Sequence, residues 1–216
     1  MRIRHIPKRD LSREVRRRLS RSDVILDIGS GIRPQDFIKP KIHICCEPFG
    51  PYVSELQRIS RENFWTNILV LQATWPEVVR LFPRRSVDTV FLLDVIEHLD
   101  KEEGRLLLAA TIPIARKHVI VFTPLGFLEQ THPDGKDAWG FDGGSWQEHR
   151  SGWEPEDFGE DWESLVVRDF HQEDNLGRKY QIPKGAFVAI YSARPSAEKP
   201  TRIVFFEKLK VLLRSS

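Results

Sequence analysis

Two glycines that follow a short apolar run are the first residues in the sequence whose spacing suggests chemistry. Residues 23–28 are mostly apolar, Gly29, Ser30 and Gly31 follow, and Pro34 stands where the first turn of a helix would begin. Glycines let the backbone adopt conformations closed to other residues and allow a ligand to approach the main chain. The pattern predicts a strand, a tight turn and a helix, with either a nucleotide-type ligand or no ligand at the turn.

The turn belongs to a regular alternation of predicted strands and helices. Five strands are predicted, over residues 23–28, 41–46, 67–72, 87–93 and 118–122. Helical patterns separate them, over residues 52–61, 75–82 and 101–116. Two further β-rich runs, 164–171 and 186–193, are joined by a connection too short for a helix and should pair antiparallel. This order predicts an α/β fold with a doubly wound, mostly parallel sheet.

Polar side chains stand at or next to the ends of these predicted strands. They are Asp27, Glu47, Gln72, Asp94 and Thr123. In an open parallel sheet, ligands bind in the crevice outside the carboxyl ends of the strands. We therefore expect these side chains to converge on one crevice.

The remaining segments surround a single domain, residues 22–193. Residues 1–21 form a basic extension with a short predicted helix, and residues 194–216 form a linker and a basic amphipathic helix. Residues 126–162 form a long insertion with four of the six tryptophans. Because tryptophans bury large areas and need partners, we expect this insertion to be an ordered flap over the crevice.

Composition limits the class of protein. The net charge is only +2, and the two cysteines, Cys45 and Cys46, are neighbours in a predicted strand, which predicts buried packing residues. No apolar run approaches the roughly 20 residues that cross a bilayer, and no secretory signal is recognisable, so we expect a cytoplasmic protein. The C-terminal helix leaves three alternatives open, which are packing on the domain, a homo-oligomer contact and peripheral contact with an anionic membrane.

The order of elements resembles the seven-stranded fold of class I S-adenosylmethionine-dependent methyltransferases. Asp27, Gly29 and Gly31 look like the first motif of that family, and residues 88–99 look like its fourth-strand signature. A plain dinucleotide-binding domain would also explain the glycine turn, but it prefers glycine at the position of Pro34. The resemblance favours methyl transfer.

The resemblance implies S-adenosylmethionine as the cofactor and a set of residues that bind it. That set is Asp27, Gly29, Ser30, Gly31, Glu47, Gln72, Ala73 and Asp94. Glu47 would accept hydrogen bonds from both ribose hydroxyls, and Asp27 would face the ammonium group. The sequence departs from the family at Arg33, where a third glycine is frequent, and after the third predicted strand, where an acid is frequent and Gln72 would accept from the adenine instead.

Residues around the acceptor of the methyl group are predicted in the same region. His98 and His149 are candidate general bases for an oxygen acceptor, with a purely structural hydrogen bond as the alternative for His98. Trp146, Arg150 and Trp153 would close over the acceptor. No carboxylate follows the fifth predicted strand, where metal-dependent enzymes of this fold place a ligand, so we expect no metal.

Three functions follow as hypotheses. The leading one is a methyltransferase acting on a small molecule, a glycan or a lipid-linked precursor. An RNA methyltransferase would use the basic N-terminal segment, but the core lacks basic residues interleaved with aromatic ones, so nucleic acid is not favoured as a partner. A cofactor-binding scaffold without turnover is the non-enzymatic alternative.

Overall fold

The computed structural model describes residues 2–194, which fold around one eight-stranded sheet. The strands are β1 (Arg2–His5), β2 (Val24–Ile28), β3 (Ile42–Glu47), β4 (Ile68–Gln72), β5 (Val87–Leu93), β6 (Ala115–Pro124), β7 (Trp162–Glu173) and β8 (Lys179–Ser192). Their order across the sheet is β1-β7-β8-β6-β5-β2-β3-β4. Neighbouring strands are parallel except that β8 runs antiparallel to both β6 and β7. The predicted doubly wound, mostly parallel sheet with a terminal antiparallel pair is confirmed.

Helices cover both faces of this sheet. They are α1 (Leu11–Arg18), α2 (Gly50–Glu62), α3 (Trp75–Leu81) and α4 (Lys101–Thr111). Successive residues of β2, Ile25 and Leu26, belong to two different hydrophobic clusters, as expected when strand side chains alternate between faces. Val15 of α1 packs in the cluster with Ile25, whereas Leu107 of α4 packs in the cluster with Leu26. The central strands are buried on both sides, which explains their nearly continuous apolar sequences.

The N-terminal segment contributes an eighth strand that the sequence did not predict. The predicted helix is present as α1, but Arg2–His5 pairs parallel with β7, beginning at Arg2 opposite Glu163. The basic residues of α1 are only partly paired: Glu14 accepts hydrogen bonds from Arg17 and Arg18, whereas Arg16 is exposed. Arg18 also bonds Glu163 at 2.8 Å and so ties the helix to β7.

The helix predicted after the glycine turn is wrong, because residues 32–41 contain no helix. The backbone N–H of Gln35 donates to Asp27 Oδ2 at 2.8 Å instead of entering a helical turn. The Gln35 side chain then bonds both the N–H and the carbonyl of Ile38. These bonds hold the short connection between β2 and β3 in an irregular path that ends at Pro40.

Three further expectations concern the cysteines, the C-terminal segment and membrane-spanning helices. Cys45 and Cys46 are free thiols with no exposed surface, so their prediction as buried packing residues is confirmed. The predicted C-terminal linker and helix fall almost entirely within residues 195–216, outside the described residues, and their membrane or subunit contacts stay predictions. Among residues 2–194, no helix has the length and apolar character needed to cross a membrane.

Candidate active site

The glycine turn after β2 has a geometry that only glycine fits well. Gly29 and Gly31 have φ angles of 69° and 53°, in the left-handed region that other residues avoid. A Cβ atom on Gly29 would lie 2.7 Å from Cγ2 of Val95, which is closer than carbon atoms pack. The Gly29 N–H donates to the Cys46 carbonyl at 2.8 Å, so the turn is fixed against the end of β3. The turn therefore lies at the carboxyl ends of β2 and β3, the edge of the sheet where the ligand crevice was expected.

Glu47 lies beside this turn at the end of β3. Its side chain is buried, and its two carboxylate oxygens accept from the N–H groups of Gly31 at 3.0 Å and Phe49 at 2.9 Å. Burial raises the pKa of Glu47, and the hydrogen bonds from Phe49 and Gly31 oppose that rise. A buried carboxylate held in this way can accept the paired hydroxyls of a ribose once a ligand displaces part of this arrangement.

The other predicted cofactor residues lie around the same turn, and they differ in burial and in the hydrogen bonds that they already make. Asp27 is buried, and its Oδ2 already accepts from Gln35 N–H and lies 3.1 Å from His43 Nε2. Ser30 is buried, and the structure gives its hydroxyl no hydrogen-bond partner. Gln72 is exposed and stands opposite Glu47 in the pairing of β3 with β4. Contact of each with a cofactor, and of half-buried Ala73 beside Gln72, stays a prediction.

The end of β5 leads into a strained turn that carries two acids and a histidine. Asp94 has a φ angle of 53°, unusual for a residue with a side chain, and a 3₁₀ turn, Ile96–His98, follows. Glu97 is 1 % exposed, and its Oε2 accepts from the hydroxyl of Thr123 at 3.0 Å. Burial and the charge of nearby Asp94 raise the pKa of Glu97 well above its ordinary value.

One end of the flap, residues 126–162, is fastened to that turn. The carbonyl of Glu97 accepts from the N–H groups of Arg150 at 2.7 Å and Ser151 at 3.1 Å. This attachment brings His149 against His98, with their ring centroids 4.9 Å apart. Burial lowers the pKa of both rings, and that of His98 falls to about 4, so both are neutral near pH 7. The two predicted bases therefore lie together at the crevice.

Another part of the flap covers the glycine turn. The Tyr52 hydroxyl of α2 donates to Oδ2 of Asp137 at 2.5 Å, and Oδ1 of Asp137 accepts from Trp139 N–H at 2.8 Å. This fixes the indole of Trp139 so that a Cβ atom on Gly31 would lie 3.4 Å from it. Tyr52, Asp137 and Trp139 were not singled out from the sequence, although the aromatic content of the flap indicated an ordered segment.

One residue predicted to bind the acceptor lies in the core and not at the surface of the flap. Trp153 is fully buried, and its indole N–H donates to the Ile96 carbonyl and to Ser151 Oγ. The ring fills a gap beside Gly104 of α4, where a Cβ atom would lie 2.5 Å from it. Trp153 is therefore a core residue. Trp146, 46 % exposed, and exposed Arg150 remain at the surface of the flap, where acceptor binding by them is a prediction.

Comparison with known proteins adds structural relatives but no sequence relative. No protein-family model matches the chain, and a search of curated proteins finds no match. The fold is similar to the N-terminal domain of EvdMO1, solved in the presence of SAH and D-fucose, with a TM-score of 0.56 and 11 % identity over 85 % of this chain and 81 % of that one.

Two further solved structures have the same fold. YcgJ from Bacillus subtilis gives a TM-score of 0.55 and 10 % identity over 87 % of this chain and 99 % of that one. A SAM-dependent methyltransferase from Archaeoglobus fulgidus gives a TM-score of 0.53 and 14 % identity over 84 % and 90 %. The strand order, the antiparallel β8 and these likenesses agree, and the chain has the class I S-adenosylmethionine-dependent methyltransferase fold.

Proposed function

We propose that this protein is an S-adenosylmethionine-dependent methyltransferase that acts on a small molecule, a glycan or a lipid-linked precursor. The observation that carries the proposal is the buried carboxylate of Glu47 bonded to the N–H of Gly31, at the carboxyl ends of β2 and β3. In a chain with this fold, that pair supplies a ribose acceptor and a glycine turn that a ligand can approach closely once Trp139 moves away. The EvdMO1 domain with SAH and D-fucose supports a nucleoside cofactor and a carbohydrate-sized acceptor.

The chemistry asks little of the protein beyond alignment and exclusion of water. Methyl transfer is a displacement at carbon in which the positive charge of the sulfonium is lost, so positioning of the acceptor supplies most of the acceleration. The flap is suited to this task because it lies over the crevice and is fastened at Glu97. Entry of the cofactor would require Trp139 to move away from Gly31, so we expect this part of the flap to move during turnover.

An oxygen acceptor would have to lose a proton, and two neutral imidazoles lie at the crevice. We therefore keep His98 and His149 as the proposed bases, with Trp146 and Arg150 as the proposed acceptor contacts. The RNA alternative is not favoured because the core lacks basic residues interleaved with aromatic ones, although Arg16 and Arg17 of α1 are exposed. The cytoplasmic location and a peripheral membrane contact stay predictions.

The proposal is tested by binding and by turnover. Wild-type protein should bind S-adenosylhomocysteine (SAH) in calorimetry, and Glu47→Ala should weaken binding by about 1.5–3 kcal/mol, roughly 10- to 150-fold in Kd. Glu62→Ala is the matched control, since Glu62 is an exposed residue at the end of α2 and should leave the Kd unchanged. Equal affinity in Glu47→Ala would contradict the site, and binding without methyl transfer to any extract fraction would favour the scaffold alternative.

A further inference from the structure

Three side chains at the crevice each have one polar atom fixed by the protein and another left over. Glu97, His98 and His149 offer ligand atoms that all lie within 4.8 Å of one another. Glu97 and His98 come from the 3₁₀ turn after β5, whereas His149 comes from the flap. Although the absence of a carboxylate after the fifth predicted strand led us to expect no metal, we propose that these three residues form a binding site for one divalent transition-metal ion such as Zn²⁺.

The hydrogen bonds of the two histidines fix which nitrogen is left for a ligand. Nδ1 of His98 lies 3.2 Å from the Glu148 carbonyl, and Nδ1 of His149 lies 2.5 Å from the Leu128 carbonyl. A carbonyl can only accept, so Nδ1 carries the proton in each neutral ring and Nε2 keeps its lone pair. Metal-binding histidines commonly have this arrangement, with the second ring nitrogen donating to a backbone carbonyl.

Glu97 has the corresponding arrangement for a carboxylate ligand. Thr123 donates to Oε2, whereas Oε1 is buried and has no hydrogen-bond partner in the described structure. Asp94 lies beside Glu97, and without an ion the two carboxyl groups avoid a second buried charge by sharing one proton. A dication beside Oε1 would take the place of that proton.

The donor set indicates the kind of ion. Two imidazole nitrogens and one carboxylate suit zinc and neighbouring first-row metals, whereas Mg²⁺ prefers oxygen ligands alone. Bonds of about 2.0–2.2 Å place the ligands of a tetrahedral ion roughly 3.4 Å apart. The three ligand atoms, which lie within 4.8 Å of one another, would therefore draw closer by at most about 1.4 Å on binding.

A second cluster of similar composition shows the contrast. Asp27, His43 and Cys45 also lie within ligand distance of one another. There, His43 Nε2 already bonds Asp27 Oδ2, which also accepts from Gln35 N–H. That cluster is satisfied internally, so it gives no comparable reason for an ion.

The position of the site suggests what the ion would do. Val95, two residues before Glu97, packs against Gly29 of the proposed cofactor turn. An ion at Glu97 would bind an acceptor hydroxyl and promote loss of its proton to solvent. With the ion bound, His98 and His149 would be its ligands in place of the general bases proposed above. The oxygen lone pair would then form the C–O bond to the methyl carbon while the C–S bond breaks, its electrons passing to sulfur. This role rests on the proposed function and assigns a hydroxyl-bearing acceptor, whereas ion binding itself does not depend on it.

Equilibrium dialysis of chelator-treated protein against Zn²⁺, with metal analysis, tests the site. Wild-type protein should bind one Zn²⁺ per chain, and Mg²⁺ should not compete at a similar concentration. Glu97→Gln and His98→Gln should each weaken Zn²⁺ binding more than about 100-fold, since even outer partners of metal ligands contribute 10- to 100-fold. His5→Gln, an exposed histidine outside the cluster, should leave the Zn²⁺ affinity unchanged.

Two independent readouts keep the outcomes distinct. Thermal unfolding shows whether each variant folds. If Glu97→Gln or His98→Gln does not fold, the other variant alone tests the site. Unchanged Zn²⁺ binding in both variants, or no stoichiometric binding by wild-type protein, would overturn the site. SAH calorimetry in metal-free buffer tests the proposed function separately, because it depends on Glu47 and not on the ion.

Discussion

Replacing Gly29 by alanine should destabilise the domain more than the same replacement at Gly31. Both residues have positive φ angles, 69° and 53°, which cost a residue with a side chain about 1–2 kcal/mol. The two positions differ in how much room a new methyl group would have. A Cβ atom on Gly29 would meet Cγ2 of Val95 at 2.7 Å, whereas one on Gly31 would make an ordinary 3.4 Å contact with Trp139.

The size of the difference follows from these two contributions. Overpacking a tight site costs about 1–3 kcal/mol in addition to the backbone strain. We therefore expect Gly29→Ala to lower the free energy of unfolding by about 2–5 kcal/mol and Gly31→Ala by about 1–2 kcal/mol. Alanine also reduces the entropy of the unfolded chain, but that gain applies to both variants and cancels in the comparison. Urea denaturation followed by circular dichroism measures both values.

Repeating Gly29→Ala in a Val95→Ala variant isolates the contribution of the contact between residues 29 and 95. Val95→Ala removes Cγ2, and the next atom, Cβ of residue 95, would lie 3.6 Å from the new methyl group. In that background, Gly29→Ala should cost no more than the backbone strain, a coupling of about 1–3 kcal/mol in the double-mutant cycle. Equal costs at Gly29 and Gly31, or a gap that persists with Val95→Ala, would refute the reasoning.

Three further predictions concern the pH dependence of SAH binding, amide hydrogen exchange in the flap and the pH dependence of stability. Burial raises the pKa of Glu47, so on acidification the SAH affinity should begin to fall at a higher pH than it would if Glu47 had an ordinary pKa. In calorimetry, Glu47→Gln should bind SAH weakly at every pH. Tyr52→Phe leaves Asp137 without its buried donor, so the amide of Trp139 should exchange about 10- to 100-fold faster by NMR, with no change if that bond does not hold the flap. Burial alone would raise the pKa of Asp88, but two backbone N–H groups at the start of β2 and nearby cations lower it overall. Its stabilisation should therefore be present at pH 7 and be lost as pH falls through the lowered value, and Asp88→Asn should cost about 2–3 kcal/mol at pH 7 in urea denaturation.

Most of the sheet was predictable because each central parallel strand has a local signature. The apolar run of β5 and the glycine turn after β2 need no distant information to be recognised, and strand order then places Glu47 and Asp94 at one edge. β1 was not predictable in this way. Its sequence, Arg2–His5, is polar and mostly exposed, and it becomes a strand only by pairing with β7.

The candidate site was predictable in part for the same reason. His98 stands next to the end of a recognisable strand, so its position followed from the sheet. Glu97 lies beside it but was not singled out from the sequence. His149 joins them only because the flap returns to Glu97, a contact that no local pattern indicates. The role of Trp153 depended on the gap beside Gly104, a feature of packing between α4 and the flap that the sequence does not display.

The pairing of β1 with β7 also has a consequence for how the chain is made. Arg2 and its partner Glu163 are 161 positions apart, so β1 emerges early from the ribosome but cannot pair until β7 has emerged. At 5–20 residues per second this interval is roughly 10–30 s. The outer edge of β7 is therefore closed only after nearly all of the described chain has been synthesised, and β1 pairing should be a late event in folding because it closes such a long loop.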